Sequence, residues 1–418
     1  MVAAQLARRG IASILIEGTD RAGKGTAYST TEAAHLLNVR ADGMSAWPDR
    51  PDDFAERFES EGGDRRGFAE RRLFGRYLRR IVDDSGVETI LSSAVSASPG
   101  EQGWRIELSD GSTIEANALV LANGNQPPEP LRVAAGAGPR FINNPWGDEA
   151  KTAVHSAVES GGDVLLLGTG LTMIDMVLSL SAAGHRGGIM ALSRRGLIPR
   201  AHADFTPAPV EREEPPRADV HSLWRWLRRR SGEVGWRAAV DSLRPHSHSL
   251  WQSLDHHQQN RFLRHARPWW DVHRHRIAPE VARQIHDLVA AGQLEIAAGR
   301  VVAMKDEGDD VTATIRRRGR ETAEERRFAF AFNCTGPLGT IERTRDPLLK
   351  GLLDAGQIRP DHLGMGLEVD EHSRVAGSNR LWALGPLTKG RYWEIVAVPD
   401  IRGQAADVAA DIATELGR

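Results

Sequence analysis

The chain has 418 residues, 40% of them hydrophobic and 26% charged, with a formal net charge of −2. That length can bury cores for two or three domains, and so balanced a charge points neither to a nucleic-acid binder nor to a low-complexity chain. The one cysteine, Cys334, excludes an internal disulfide and a CxxC redox pair within the chain. No apolar run approaches the roughly 18 residues of a membrane span, and no charged region, apolar core and cleavage site open the chain. A cytoplasmic protein in a reducing compartment, with no membrane partner, is the expectation.

The chain opens MVAAQLARRGIASILIEG. Residues 2 to 9 read as an amphipathic helix stopped by Gly10, and 11 to 16 as a buried strand ending at Glu17. This is the second half of a βαβ nucleotide-binding unit. The glycine loop that would precede it falls just before Met1, so a strand and loop of roughly a dozen residues are expected upstream in the reading frame.

Residues 71 to 85 have helical periodicity. ETILSSAVSASP and WRIELSD then read as strands, and IEANALVLANGN as a strand ending in Gly124. The same order returns later: a helix in PEVARQIHDLVAAG, strands in LEIAAGRVVAMKDE and VTATIRRR, and RFAFAFNCTGP ending in Gly336.

Before this second set stands GGDVLLLGTGLTMIDMVLSLSAAGHRGGIMALSRRG, residues 161 to 196. It reads as strand, tight turn at Gly168, Thr169 and Gly170, helix, and strand. Glycines suit a turn where phosphates approach backbone N–H groups at a positive helix end. Met173 replaces the third glycine of the usual fingerprint. The next strand ends in Ser193, Arg194 and Arg195, where an acidic residue would hold an unphosphorylated ribose; arginines there favour the 2′-phosphate of NADPH. Glu17 is the acidic counterpart in the first unit and suits the adenosine ribose of FAD. The predicted fold is α/β: two Rossmann-like dinucleotide-binding domains, for FAD and NADP, with a helical insertion.

Residues 203 to 276 form that insertion, rich in Trp, Arg and His. Three readings stand open for it: an anionic small molecule held by arginines, nucleic acid, or a metal on the histidine pairs 246/248, 256/257 and 273/275. No nucleic-acid module is visible and the carboxylates and cysteines of known metal patterns are absent, so neither nucleic acid nor metal is expected. A site for a small polar, acidic substrate is expected instead, on Arg225, Arg261, Arg264, His265 and Arg267.

The stretch AYSTTEAAHLLNVRADGMSAWPDRPDDFAERF, with Ala122-Asn123-Gly124, Cys334-Thr335-Gly336-Pro337 and LWALGPLTKGRYWEIVAVPDIRGQAADVA, resembles the bacterial FAD/NAD(P)-binding protein family, two-dinucleotide-binding-domain flavoproteins related to class B flavin monooxygenases and amino-acid N-hydroxylases. The resemblance implies that Tyr28, Asn38, Val39, Arg40, Met44 and Trp47 lie beside the flavin. It further implies that Gly124 and Gly336 mark the crossings between domains, that Gly385 approaches the flavin, and that a helix beginning near Ile401 points at it. Residues 1–150 would start the FAD domain, 151–335 would bind NADP(H), with the insertion 203–276 as a helical cap, and 336–418 would complete the FAD domain. The implied activity is an FAD-dependent NADPH oxidoreductase, a monooxygenase using dioxygen on an amino-group-bearing substrate. The cofactor carries that chemistry, so no catalytic side chain is assigned. The alternatives are a flavin reductase serving a quinone or protein acceptor, and a catalytically idle nucleotide-binding protein.

Overall fold

The computed structural model describes residues 1–217 and 219–418. The first part of the chain runs α1 (Val2–Ala7), β1 (Ile14–Ile16), α2 (Gly25–Tyr28), α3 (Asp53–Ser60), α4 (Arg71–Asp84), β2 (Glu88–Ile90), β3 (Ala94–Pro99), β4 (Trp104–Leu108), β5 (Thr113–Ala116) and β6 (Leu119–Leu121). β1 pairs in parallel with β2, while β3, β4 and β5 form an antiparallel meander. In β4, Trp104, Ile106 and Leu108 are buried and Arg105 and Glu107 exposed, the two-residue alternation of a strand with one wet face.

The second part begins with β7 (Phe141–Ile142), α5 (Asp148–Ser160), β8 (Val164–Leu167), α6 (Leu171–Ala182) and β9 (Ile189–Ser193). The cap follows as α7 (Val220–Val234), α8 (Trp236–Ser242), α9 (Ser247–Ser253), α10 (His256–Arg261) and α11 (Arg267–Arg274). Asp219 starts α7 by accepting from the backbone N–H groups of His221 and Ser222, and Asp255 starts α10 through the N–H of Gln258. Then come α12 (Pro279–Ala290), β10 (Leu294–Asp306), β11 (Val311–Arg317), β12 (Glu324–Phe328) and β13 (Phe330–Asn333).

These strands build one seven-stranded sheet in the order β12-β11-β10-β9-β8-β13-β7. β8 and β13 are buried on both faces, and their sequences VLLL and FAFN are accordingly apolar almost throughout. Helices α5, α6 and α12 cover one face. β10 is parallel to β9 over residues 294–298 and antiparallel to β11 over 299–306, so a single strand leaves the parallel sheet to start the meander over the other face. β7 already belongs to this sheet at residues 141–142.

The chain returns to the first part through α13 (Pro347–Asp354), β14 (Leu381–Ala383) and α14 (Val398–Glu415). β14 pairs in parallel with β6. Trp382 donates to Asp411 on α14, and Arg374 bridges Asp411 and Glu415. α14 also packs on α1 around Val2, Leu6, Ala405 and Val408.

Candidate functional site

In the large sheet the chain order reverses between β8 and β13, where open parallel sheets form a crevice at the strands' carboxyl ends. The glycine turn lies at that point, and its two glycines have different causes. Gly168 has φ +116°, and a Cβ there would stand 2.2 Å from the Cys334 carbonyl oxygen; close approach of two chains requires it. Gly170 has an ordinary φ of −87°, and a Cβ on it would meet nothing within 4 Å. It is the N-cap of α6, and no side chain caps that helix. The first-turn N–H groups of α6 are therefore free for an anion.

Thr169 is buried and ties the turn to the chain after β9: its hydroxyl bonds to Ser193 Oγ at 2.8 Å and to the Leu197 carbonyl. Ser193 Oγ also accepts from Gly196 N–H. The Ser193 hydroxyl is thus already engaged within the protein. Arg194, exposed, and Arg195, half-buried, make no hydrogen bond or ion pair among the described residues. Two unpaired guanidinium groups follow the strand next to the open helix end.

The segment 35–47 is held from several sides. With Nε2 protonated, His35 donates to the Asp175 carbonyl on α6 and accepts at Nδ1 from Thr30. His202 Nε2 bonds to the Asn38 carbonyl, and Arg40 pairs with Asp204 at 2.7 Å while donating to the Arg66 carbonyl. Burial holds His202 well below the ordinary histidine range, down to about 4, so its ring is neutral at pH 7. Val39 is half-buried. Met44 and Trp47 are buried, and the Arg8 guanidinium lies 3.4 Å over the Trp47 ring. Tyr28 packs edge-on against Phe74, and burial pushes its hydroxyl up to about 12. Glu17 accepts from the Thr19 N–H and hydroxyl at the end of β1.

Gly124 and Gly336 both have positive φ, and a Cβ at either would meet nothing within 4 Å. Backbone there is open to an approaching ligand. Gly385 has φ +61° and donates to Gln404 on α14, whose amide in turn donates to Thr388 and Ser373. That buried network fixes the 385–388 turn beside α14, which begins at Val398.

The cap places its charges differently from the sequence expectation. Arg225, Arg261, Arg264, His265 and Arg267 are all exposed, and Arg267 pairs with Asp271. The charges the fold gathers are Arg274, Arg244, Glu394 and Asp400. Glu394, whose side chain is 3% exposed, accepts from Arg274 Nε at 3.1 Å and from Trp270 Nε1. Asp400, in the first turn of α14, keeps Oδ2 buried without a partner, and burial raises its pKa. Arg244 makes no ion pair among the described residues, and burial lowers its pKa although Asp400, Asp241 and Glu394 pull the other way. Lys389 is brought down to about 8 by burial, with Arg267 adding to the effect. Of the histidine pairs, His246 is bonded to the Val210 carbonyl, His273 to the Trp269 carbonyl, and His256 stacks on His362 with centroids 3.7 Å apart.

No curated protein matches the chain by sequence. Among solved structures it is similar to the reduced form of ornithine hydroxylase from Pseudomonas aeruginosa, at 14% identity and a TM-score of 0.68 over 99% of this chain and 96% of that one. L-lysine 6-monooxygenase from Pseudomonas syringae follows at 16% identity and 0.66, over 99% and 97%. Bacillithiol disulfide reductase from Staphylococcus aureus aligns at 13% identity and 0.57, over 99% and 94%. Residues 1–126 match the family model described as FAD-NAD(P)-binding, and the chain as a whole has the two-dinucleotide-binding-domain fold of these structures.

Proposed function

We propose that the chain is an FAD-dependent, NADPH-consuming oxidoreductase that oxygenates the amino group of a small polar, acidic molecule. The observation that carries the reading is the open N-terminus of α6 at Gly170 beside the unpaired Arg194 and Arg195. A dinucleotide pyrophosphate suits the first and a 2′-phosphate the second.

The described residues fit parts of FAD. Gly124 and Gly336 leave room for close backbone approach, Glu17 at the end of β1 has a carboxylate that would suit an adenosine ribose, and the orphan Asp400 carboxylate marks a polar position at the start of α14. When bound, FAD supplies hydride acceptance and the activation of dioxygen. The protein's own part is to bind and orient. α6 and Arg194/Arg195 hold the nicotinamide nucleotide, Gln404 fixes the 385–388 turn, and Arg244 offers a positive charge to the carboxylate of an amino acid-like substrate.

Oxygenation is favoured over thiol reduction because the lone Cys334 is buried and burial raises its pKa, leaving no reactive thiolate. The structural likeness to ornithine and lysine hydroxylating enzymes supports the same choice. The test is oxygen uptake by FAD-supplied protein across a panel of amino acids and diamines. NADPH oxidation matched by hydroxylated product is expected. Hydrogen peroxide alone, with every amine, would overturn oxygenation and leave a reductase.

A further inference from the structure

Beside the edge strand β7 lies an open groove of about 460 Å³, floored by Leu131, Ala134 and Phe141 and lined by three polar side chains, Arg132, Asn143 and Arg345. Two lengths of chain far apart in sequence build it. Residues 130–143 carry the chain from the first part to the second, and Arg345 lies where it returns, just before α13. The floor is pinned to the meander, since the Gly136 carbonyl accepts from the Asp306 N–H at the end of β10. Leu131, Ala134 and Phe141 pack with Leu165, Met304 and Ala331 on the face of the large sheet opposite α6, and β13 stands between β7 and the glycine turn after β8. The groove and the open end of α6 are separate places.

Arg132 and Arg345 are exposed and make no hydrogen bond or ion pair among the described residues. The acids nearest to them in sequence are engaged elsewhere: Glu129 pairs with Arg343, and Asp346 accepts from the Leu349 N–H at the start of α13 and from Asn123. Asn143 is also engaged, donating to the Pro128 carbonyl and accepting from Asn333. Both positive charges are left uncompensated. One exposed arginine is an ordinary surface feature, but two unpaired ones lining a single apolar-floored groove suit an anion with an apolar body, and the volume falls within the roughly 300–1,000 Å³ of small-molecule sites.

We infer that the groove binds a small organic phosphate monoester, with its apolar or aromatic body on Leu131, Ala134 and Phe141 and its phosphoryl oxygens between Arg132 and Arg345. The number of oxygens selects phosphate over carboxylate. One guanidinium fork occupies both oxygens of a carboxylate, whereas the three terminal oxygens of a phosphate monoester, with a charge of about −1.5 to −2, engage two forks. Such a ligand ties the outgoing length of chain to the returning one. The site lies outside the nucleotide crevice, so it does not depend on the redox reading above.

The experiment is a calorimetric titration of the full chain with FAD and NADP⁺ present, so that the nucleotide crevice is filled. Phenyl phosphate, inorganic phosphate, benzoate and benzyl alcohol are the probes. Phenyl phosphate is expected to bind saturably at one site and at least about fivefold more tightly than the other three. Arg132→Ala and Arg345→Ala should each weaken it roughly tenfold, the scale of one charge-assisted hydrogen bond, with the melting temperature unchanged. Ala135→Glu, at an exposed position of the groove wall, should abolish binding, while Arg194→Ala with Arg195→Ala should leave it intact. The proposal is overturned by absence of saturable binding, by equal affinity for benzoate or inorganic phosphate, by titrations unaltered in Arg132→Ala or Arg345→Ala, or by loss of binding in the Arg194/Arg195 variant.

Discussion

Arg71 on α4 and Asp175 on α6 meet in a two-pronged ion pair, Nη1 to Oδ2 and Nη2 to Oδ1 both at 2.9 Å, with the side chains only 8% and 6% exposed. Arg71 Nε also donates to the Leu36 carbonyl. The pair joins the helix behind the 35–47 segment to the helix that starts at the glycine turn, and so sets one nucleotide unit against the other. Removing one partner leaves a buried charge uncompensated. Arg71→Ala is expected to lower unfolding free energy by about 3–5 kcal/mol, and Arg71→Met with Asp175→Leu to recover most of it. Denaturant unfolding measures both, and a single-variant loss under about 1 kcal/mol would contradict the role.

The two glycines of the turn should separate on mutation. Gly168→Ala forces a Cβ against the Cys334 carbonyl at a φ that side chains avoid, so a loss of about 3 kcal/mol or more is expected. Gly170→Ala has room and should change stability by less than about 1 kcal/mol. Its cost should fall on NADPH affinity, because the new methyl stands at the open helix end. Thermal unfolding with a parallel NADPH titration tests this; equal effects of the two changes on stability would refute the distinction.

Arg194→Ala and Arg195→Ala should weaken NADPH on the order of tenfold, the scale of one charge-assisted hydrogen bond, and leave NADH nearly unchanged. Neither arginine has a partner to lose among the described residues, so the melting temperature should hold. Parallel titrations with the two nucleotides are the measurement, and equal losses for both would remove the 2′-phosphate assignment.

His202 predicts a pH dependence. Its folded-state value of about 4 lies below the ordinary 6.5 because burial, with Arg276 and Arg40 nearby, outweighs the Asn38 hydrogen bond and Asp241. As pH falls through 6.5 the unfolded chain takes up the proton first, so stability falls with it until about pH 4. With a slope that rises from half of 1.36 kcal/mol per unit at pH 6.5 toward the full value below it, about 1.6 kcal/mol should be lost between pH 6.5 and 5. His202→Gln should flatten that slope in urea unfolding at a series of pH values, and an unchanged slope would assign the effect elsewhere.

Much of the architecture is legible in the amino acids. The alternation of WRIELSD, the unbroken apolar run of DVLLL and the glycines after it mark strands and turn by side-chain period alone. The repeat of helix, strands and terminal glycine also survives into the structure, since α4 through β6 and α12 through β13 follow the same order. The cap was less readable. Its helices mix Trp and Arg, so periodicity does not tell which arginine turns inward; Arg274 is buried by Glu394, 120 residues away in sequence. Asp175 and Arg71 were hidden for the same reason, because a charge inside an apolar helix is explained only by a partner 104 residues distant. The Gly168 carbonyl contact is likewise a property of two strands meeting.

The 13-residue strand β10 also has a consequence for how the molecule breathes. Shared between parallel sheet and meander, it couples both into a single opening unit, because neither can separate without breaking its ladder. The corresponding place in the first part is cut at residues 91–93 between β2 and β3, and Ile14 and Leu91 are exposed there. Amide exchange should therefore divide along the repeat: slow, uniform protection across β8 to β13, and early, piecemeal exchange in β1 and β2.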